Sequence, residues 1–423
     1  MDNEGLCVTS LDIGTKIFGK NRYAIVSARH WAAVASAFTL PWSTSGQAIT
    51  AAIFVVLALI TIKPSDWFLA LRSPASAVPI ALLGLLLLGM SWSSDPTGAG
   101  GITHYFKLLF IPILIATEIS PRQGFQIACG FLTGCLMVLV LSLASLTWSS
   151  GPWWWFKSAG IPFKDNAVQS GCFALCAFGL AVLATRAAHQ MRVRLAVGLS
   201  ALALLFFADI FLIYVSKTGM IETLALFGLF LFWEFGGHPR ALLLAIPVVV
   251  IAVIALSFSV PAQRRLAEIA TDVRANDASQ ETLSTASRRD FWRKAVGFIE
   301  EAPLLGHGTG STKSLYESLQ TSAPSPYGEA VPDPHNQFLA IAIQVGLLGG
   351  ALLLLMWWVH FFMFFDGSPI SLMGRAIVVQ NIVGSLFNSH LSTVTQGTLY
   401  CAAIGLLGGL VIRKSHRNSD GQS

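Results

Sequence analysis

The sequence predicts an all-α polytopic membrane protein, with about twelve transmembrane helices and one long external loop that itself carries helices. Three observations predict this class. Of the 423 residues, 54 % are hydrophobic and only 12 % charged, with a mean hydropathy of +0.65; a soluble domain carries about twice that charge fraction. Apolar runs of roughly 17–25 residues recur along the chain, each long enough to cross a bilayer as a helix. The runs are apolar all round rather than at every second residue, so they read as helices and not as strands of a closed barrel.

The expected spans centre near 29–44, 47–62, 76–92, 104–118, 124–147, 165–186, 195–215, 219–235, 240–258, 336–363, 376–388 and 394–412. They divide the chain into an N-terminal segment 1–28, nine spans over 29–258, a loop domain 259–335, three spans over 336–412 and a tail 413–423. The first 28 residues are polar, and no small-residue cleavage site follows an apolar core, so no cleaved leader is expected. The polar tail from Ser415 to Ser423 is expected to lack fixed structure. No internal repeat is visible.

Lys and Arg set the expected orientation. With both termini cytoplasmic, that side holds fifteen of them, from Lys16 to Arg417, whereas the opposite short loops hold Lys107, Lys157, Lys164 and Lys217. The 259–335 loop then faces a periplasm-like space. The net charge of +5 is accounted for by the cytoplasmic loops, so no nucleic-acid partner is expected. None of the six cysteines lies in the long loop, which excludes a disulfide framework there. Cys172 and Cys176 share a helix face, but a metal site needs more ligands than two, and small packing residues are the better reading. The loop has no Asp-x-Asp pair either; no metal and no cofactor are expected.

The loop holds eight Lys/Arg and ten Asp/Glu, so its cations are not a diffuse coat and their positions carry the information. In Ser287-Arg288-Arg289-Asp290-Phe291-Trp292-Arg293, Ser287 and Asp290 resemble a capping box. Phe291, Trp292, Ala295, Val296 and Ile299 continue as a helical apolar stripe that Pro303 ends. Arg288 and Arg289 would sit in the first turn, against the helix dipole. A bound anion there offsets that cost, and guanidinium forks suit phosphate; pairing with loop carboxylates or lipid headgroups is the alternative. Arg264 and Arg265 follow the ninth span, where a headgroup contact is the plain alternative. Lys217, in the short turn Tyr214–Gly219, opposes the positive-inside bias. It faces either the same cavity or the interface as a snorkelling side chain. Asp209, deeper in the preceding span, reads as a structural polar contact. Trp153, Trp154 and Trp155 read as an interfacial anchor or as a sugar platform.

His335 completes the set. Asp333 can serve as N-cap and Pro334 as first helical residue, which places His335 in the first turn of a membrane helix. The helix N-terminus disfavours an imidazolium, and a neutral ring can take a proton as a general base. A hydrogen-bonded structural histidine is the alternative.

Three separated blocks resemble the membrane O-antigen ligase and polymerase superfamily. They are Ser287–Trp292 with Pro303-Leu304-Leu305-Gly306-His307-Gly308-Thr309-Gly310-Ser311, then His335-Asn336-Gln337-Phe338-Leu339, and Ser216-Lys217-Thr218-Gly219; Ser385–Ser389 also fits. The resemblance implies a GT-C-like glycosyltransferase of the bacterial inner membrane, with its active site facing the periplasm. It implies an undecaprenyl-diphosphate-linked O-antigen as donor, a sugar hydroxyl of lipid A-core oligosaccharide as acceptor, and no divalent metal. Arg288 matches a diphosphate-binding arginine and His335 the catalytic base. Lys217 stands where relatives often have arginine, which keeps the charge and loses the fork. Arg265 and Arg289 join the diphosphate set on position alone. Direct displacement with inversion suits a base on one side and a diphosphate clamp on the other, and Arg288, Lys217 and His335 are expected to line one cavity. An O-antigen polymerase and a protein O-oligosaccharyltransferase share these motifs. A lipid or polysaccharide transporter is the alternative from another class, although transporters favour mid-membrane charges and repeated halves.

Overall fold

The structure, a computed structural model, describes residues 5–93, 95–148, 156, 160–213, 216–236, 263, 285–322 and 333–420. Its regular elements are helices: α1 (Gly5–Thr39), α2 (Thr44–Thr61), α3 (Pro64–Arg72), α4 (Pro74–Gly89), α5 (Phe110–Ala116), α6 (Pro121–Thr147), α7 (Asn166–His189), α8 (Val193–Ala208), α9 (Lys217–Phe235), α10 (Thr285–Glu301), α11 (Thr312–Ser322), α12 (Gln337–Met363), α13 (Pro369–Ser385) and α14 (Val394–Asp420). Among the described residues eight helices are long and apolar enough to cross a membrane: α2, α4, α6, α7, α8 with its π turn Asp209–Ile213, α9, α12 and α14. The chain is therefore a multi-pass, all-α membrane protein.

The other expected spans divide in three ways. Span 29–44 overlaps the C-terminal part of the longer α1, and 376–388 overlaps α13, at 17 residues just short of the others. Span 240–258 lies outside the described residues. Span 104–118 is met by a shorter apolar helix, Gly101–Ala116, where a 3-10 stretch, Pro96–Leu109, leads into the seven-residue α5. Its carbonyl end is closed from elsewhere, because Arg413 donates to Ala116 O at 2.8 Å and Arg29 to Glu118 O at 2.9 Å. Guanidinium forks here stand in for the missing next turn.

Side-chain caps start several spans. Ser43 accepts from Gly46 N, Asp165 from Val168 N, and Ser120 with Gln123 forms a reciprocal capping box on α6. Between helices, small residues permit close approach, as expected where lipid gives no hydrophobic drive. Gly130 and Gly134 of α6 press on α1; a Cβ on Gly134 would lie 2.2 Å from Phe38 O. α7 packs on α8 and α9, α4 on α12, α5 on α14, and α13 on α9 and α14.

One element departs from a continuous span. α12 breaks at Val345 (φ −129°, ψ 24°) and Gly346 (φ 69°, ψ −172°), the second a backbone region that is essentially glycine-only. A break orphans backbone groups, which must find partners. The Pro303–Ser311 block supplies them. His307 N donates to Ile343 O at 2.9 Å, Gly308 N to Gln344 O at 2.8 Å, and Leu347 N donates back to Pro303 O at 2.8 Å. Gly310 N donates to Gln344 Oε1 at 2.9 Å. The glycines of that block are thus a docking surface for the broken helix. A Cβ on Gly346 would lie 2.1 Å from Leu304 O. Gly346→Ala is expected to cost about 1–3 kcal/mol from strain alone and more from that clash, seen as a fall in melting temperature of the purified protein.

Candidate functional site

α10 and α11 rest on the first half of α12 through a small apolar cluster of Ala295, Phe298, Tyr316 and Ile343. Phe298 takes the inward place expected of Val296, which is 46 % exposed. Tyr316 Oη donates to Phe291 O at 2.7 Å and ties α11 to α10. Trp292 Nε1 donates to Pro334 O at 3.0 Å, and the Phe291 ring lies 6.1 Å from that of His335. The aromatic stripe of α10 therefore seats the 333–336 segment. Ser287 is a correction: it is the third residue of α10 and not its cap, and Arg288 is the fourth.

His335 also differs from expectation. It precedes α12, whose N-cap is Asn336, its side chain accepting from Leu339 N at 3.1 Å. Asp333 does not cap the helix because its carboxylate is engaged elsewhere. Oδ1 accepts from His335 N at 2.9 Å and from Ser389 Oγ at 2.5 Å. That turn holds His335 at φ 49°, in the left-handed region. The expected neutral ring keeps its direction but changes its cause. Burial lowers the His335 pKa from the ordinary 6.5; Asp333 opposes this and the positive charge of Arg288 adds to it.

Arg288 is half-buried beside this ring, and burial lowers its pKa. Among the described residues no carboxylate pairs with it; the nearby Asp290 takes Lys294 at 2.8 Å instead. A desolvated guanidinium without a carboxylate is costly, and a bound anion removes that cost.

Lys217 opens α9, with Ser216 as N-cap. Its neighbour Thr218 reaches the site through the turn 386–393, accepting from Asn388 Nδ2 at 3.4 Å. The same turn binds the His335 side twice more. Asn336 Nδ2 donates to Leu386 O at 3.3 Å, and Gln337 Oε1 accepts from Leu391 N at 2.8 Å. Lys107 closes it by donating to Thr393 O at 2.6 Å. The structure thus brings Arg288 and His335 together and links the start of α9 to them through one turn. Arg289 lies next to Arg288 on α10. Arg264, Arg265 and Trp153–Trp155 lie outside the described residues.

A polar cavity of about 530 Å³ opens beside Asp333 and Pro334, lined also by His104, Tyr105, Lys313 and Ser389; Arg288, Lys217 and His335, expected to line one cavity, are not among its lining residues. Its hydroxyl, carboxylate and ammonium groups suit a hydroxyl-rich ligand. Among the described residues no group of three or more His, Cys, Asp or Glu is placed to hold a metal ion. Asp209 has the structural part expected of it, accepting from Ser142 Oγ at 2.7 Å and Gln169 Nε2 at 3.2 Å.

Sequence reasoning missed the 386–393 turn as an organiser, and with it Lys107, Gln337, Glu222 and His390. Glu222 was open to detection, because the rule that singles out an acid inside a span applies to it as it does to Asp209.

Residues 201–354 match a family model described as O-antigen ligase. The matched segment runs from α8 into α12 and contains Lys217, Arg288 and His335. No curated protein matches the chain.

Proposed function

From the match of residues 201–354 to the O-antigen ligase family model, we propose that the chain is a member of that family and transfers a glycan from undecaprenyl diphosphate to a sugar hydroxyl of lipid A-core oligosaccharide. The match supports a membrane-embedded ligase or polymerase; donor, acceptor and residue roles are our reading. The observation that carries it is the half-buried Arg288, without a carboxylate among the described residues, beside a His335 ring kept neutral.

In this reading His335 takes the proton of the acceptor hydroxyl as its oxygen attacks the anomeric carbon. The bond from that carbon to the diphosphate oxygen breaks on the opposite face, giving inversion. Undecaprenyl diphosphate leaves with the bonding electrons. Arg288 and Lys217, with Arg265 and Arg289, hold the diphosphate and stabilise the charge that develops on it. Cations placed so do what a metal does in other transferases. The cavity beside Asp333 gives the glycan a polar space. The site faces the periplasm of the inner membrane, with both termini cytoplasmic.

The test is transfer by purified protein from undecaprenyl-diphosphate glycan, with and without lipid A-core, and with EDTA. Glycan on lipid A-core, unchanged by EDTA, is expected. Longer lipid-linked glycan without lipid A-core would make the chain a polymerase. Label only on an added acceptor protein would make it a protein glycosyltransferase, and movement of intact donor across vesicles without transfer would make it a transporter.

A pH profile follows from the His335 environment. The base works only when neutral, so kcat falls as pH drops through its pKa. Because that pKa is lowered, the acid limb is expected below pH 6.5. Arg288→Gln removes a lowering charge, so its residual activity is expected to show the limb at higher pH.

A further inference from the structure

The 386–393 turn stands on a polar cluster buried between α7, α9, α13 and α14. Glu222 is fully buried and lies five residues beyond Lys217, about 7.5 Å along the same helix. Its Oε2 accepts from Gln380 Nε2 at 3.0 Å, and that amide also donates to Gly171 O at 2.6 Å. Its Oε1 makes no hydrogen bond among the described residues and lies 3.6 Å from Nε2 of His390, which is 3 % exposed, a small shift short of one. Glycines make room for this contact: a Cβ on Gly384 would sit 1.9 Å from Cε1 of His390 and 2.5 Å from Oε1 of Glu222. An acid inside a membrane protein is costly, and it persists where it is paired or functional. Here it is aimed at the turn.

That turn is what joins the two halves of the site. Ser389 binds Asp333, whose carboxylate also holds His335 N; Leu386 O binds Asn336; Asn388 binds Thr218 at the start of α9. Between Asn388 and Leu391 lies His390, pointing inward to Glu222. We propose that Glu222 and His390 form a buried latch on this turn, and are positioning residues that set His335 relative to the Lys217 end of α9. The inference rests on the roles given above to His335 and Lys217. Burial pushes the His390 ring down to about 4, so it is neutral at pH 7 and its free nitrogen can accept a hydrogen bond. A glutamine at 222 can therefore still accept from Gln380 and donate to His390, whereas alanine does neither.

Hydrogen–deuterium exchange and transfer kinetics on the parent, Glu222→Ala, Glu222→Gln and His390→Ala test this. Glu222→Ala and His390→Ala are expected to raise exchange in 386–393 and in 333–337, with the spans unchanged, and to lower kcat about 10²-fold through misplacement. Glu222→Gln is expected to restore both protection and rate. If Glu222→Ala does not fold, His390→Ala, which lies in a turn outside the helices, carries the same comparison. Unchanged exchange in 333–337, or a Glu222→Gln as damaging as alanine, would overturn the latch. Exchange needs no substrate, so a parent protein that transfers nothing would count against the proposed reaction and leave the exchange result to decide the latch.

Discussion

Replacing His335 by asparagine is expected to lower kcat by about 10²–10⁴-fold, the usual worth of a positioned general base, with the donor KM nearly unchanged. Asparagine is the informative choice. His335 sits at φ 49°, and asparagine is among the few residues that adopt this region readily. The Asp333 turn survives because it uses the backbone N–H of residue 335. The variant should therefore match the parent in melting temperature and lose the proton acceptor alone. The loss belongs in kcat because the proton moves only in the transition state. A structural histidine would give the opposite pattern, a lower melting temperature with a rate close to normal. Steady-state kinetics beside thermal unfolding of the same preparation separates the two.

Arg288→Ala is expected to lower kcat/KM for the donor by the worth of a desolvated, hydrogen-bonded charge pair, about 2–5 kcal/mol. Arg288→Lys should fall between, since the ammonium keeps charge but not the bidentate fork. The ligand-free protein should respond in the other direction. Its guanidinium is half-buried with no carboxylate partner among the described residues, so removing it relieves a desolvation cost and the melting temperature is expected to rise. Such opposition between stability and activity marks binding groups held ready for a ligand. Donor kinetics and thermal unfolding of Arg288→Ala check both halves; a variant less stable than the parent would identify Arg288 as a structural residue.

Much of the fold was legible because span composition is a local property. Eight of the expected spans appear as long apolar helices, and α1 and α13 overlap two more. The break in α12 was not legible. Val345 and Gly346 follow Gln344 in an otherwise apolar run, and a glycine within a span does not by itself mark a break. What permits it is distant: the Pro303–Gly310 block, whose backbone exchanges hydrogen bonds with Ile343, Gln344 and Leu347. Its glycine spacing was visible, but its purpose needed the partner helix. The same holds at His335. Asp333 and Asn336 are both good caps by residue type, and the choice fell to Asn336 because Ser389, more than fifty residues on, engages Asp333. Arg288 and His335 were singled out from residue type and setting, and the roles given to them here are proposals. Glu222 and His390 were not joined, because only the packing of α9 against α13 brings them together.

The central claim is that one diphosphate sits between Arg288 and the end of α9, with its anomeric carbon facing His335. A structure of the protein bound to undecaprenyl-diphosphate glycan tests this most directly. The account predicts diphosphate oxygens within hydrogen-bonding distance of the Arg288 guanidinium and the Lys217 ammonium, and the His335 ring on the far side of the anomeric carbon. A diphosphate seated out of reach of Arg288, or a His335 ring shielded from the sugar, would contradict it.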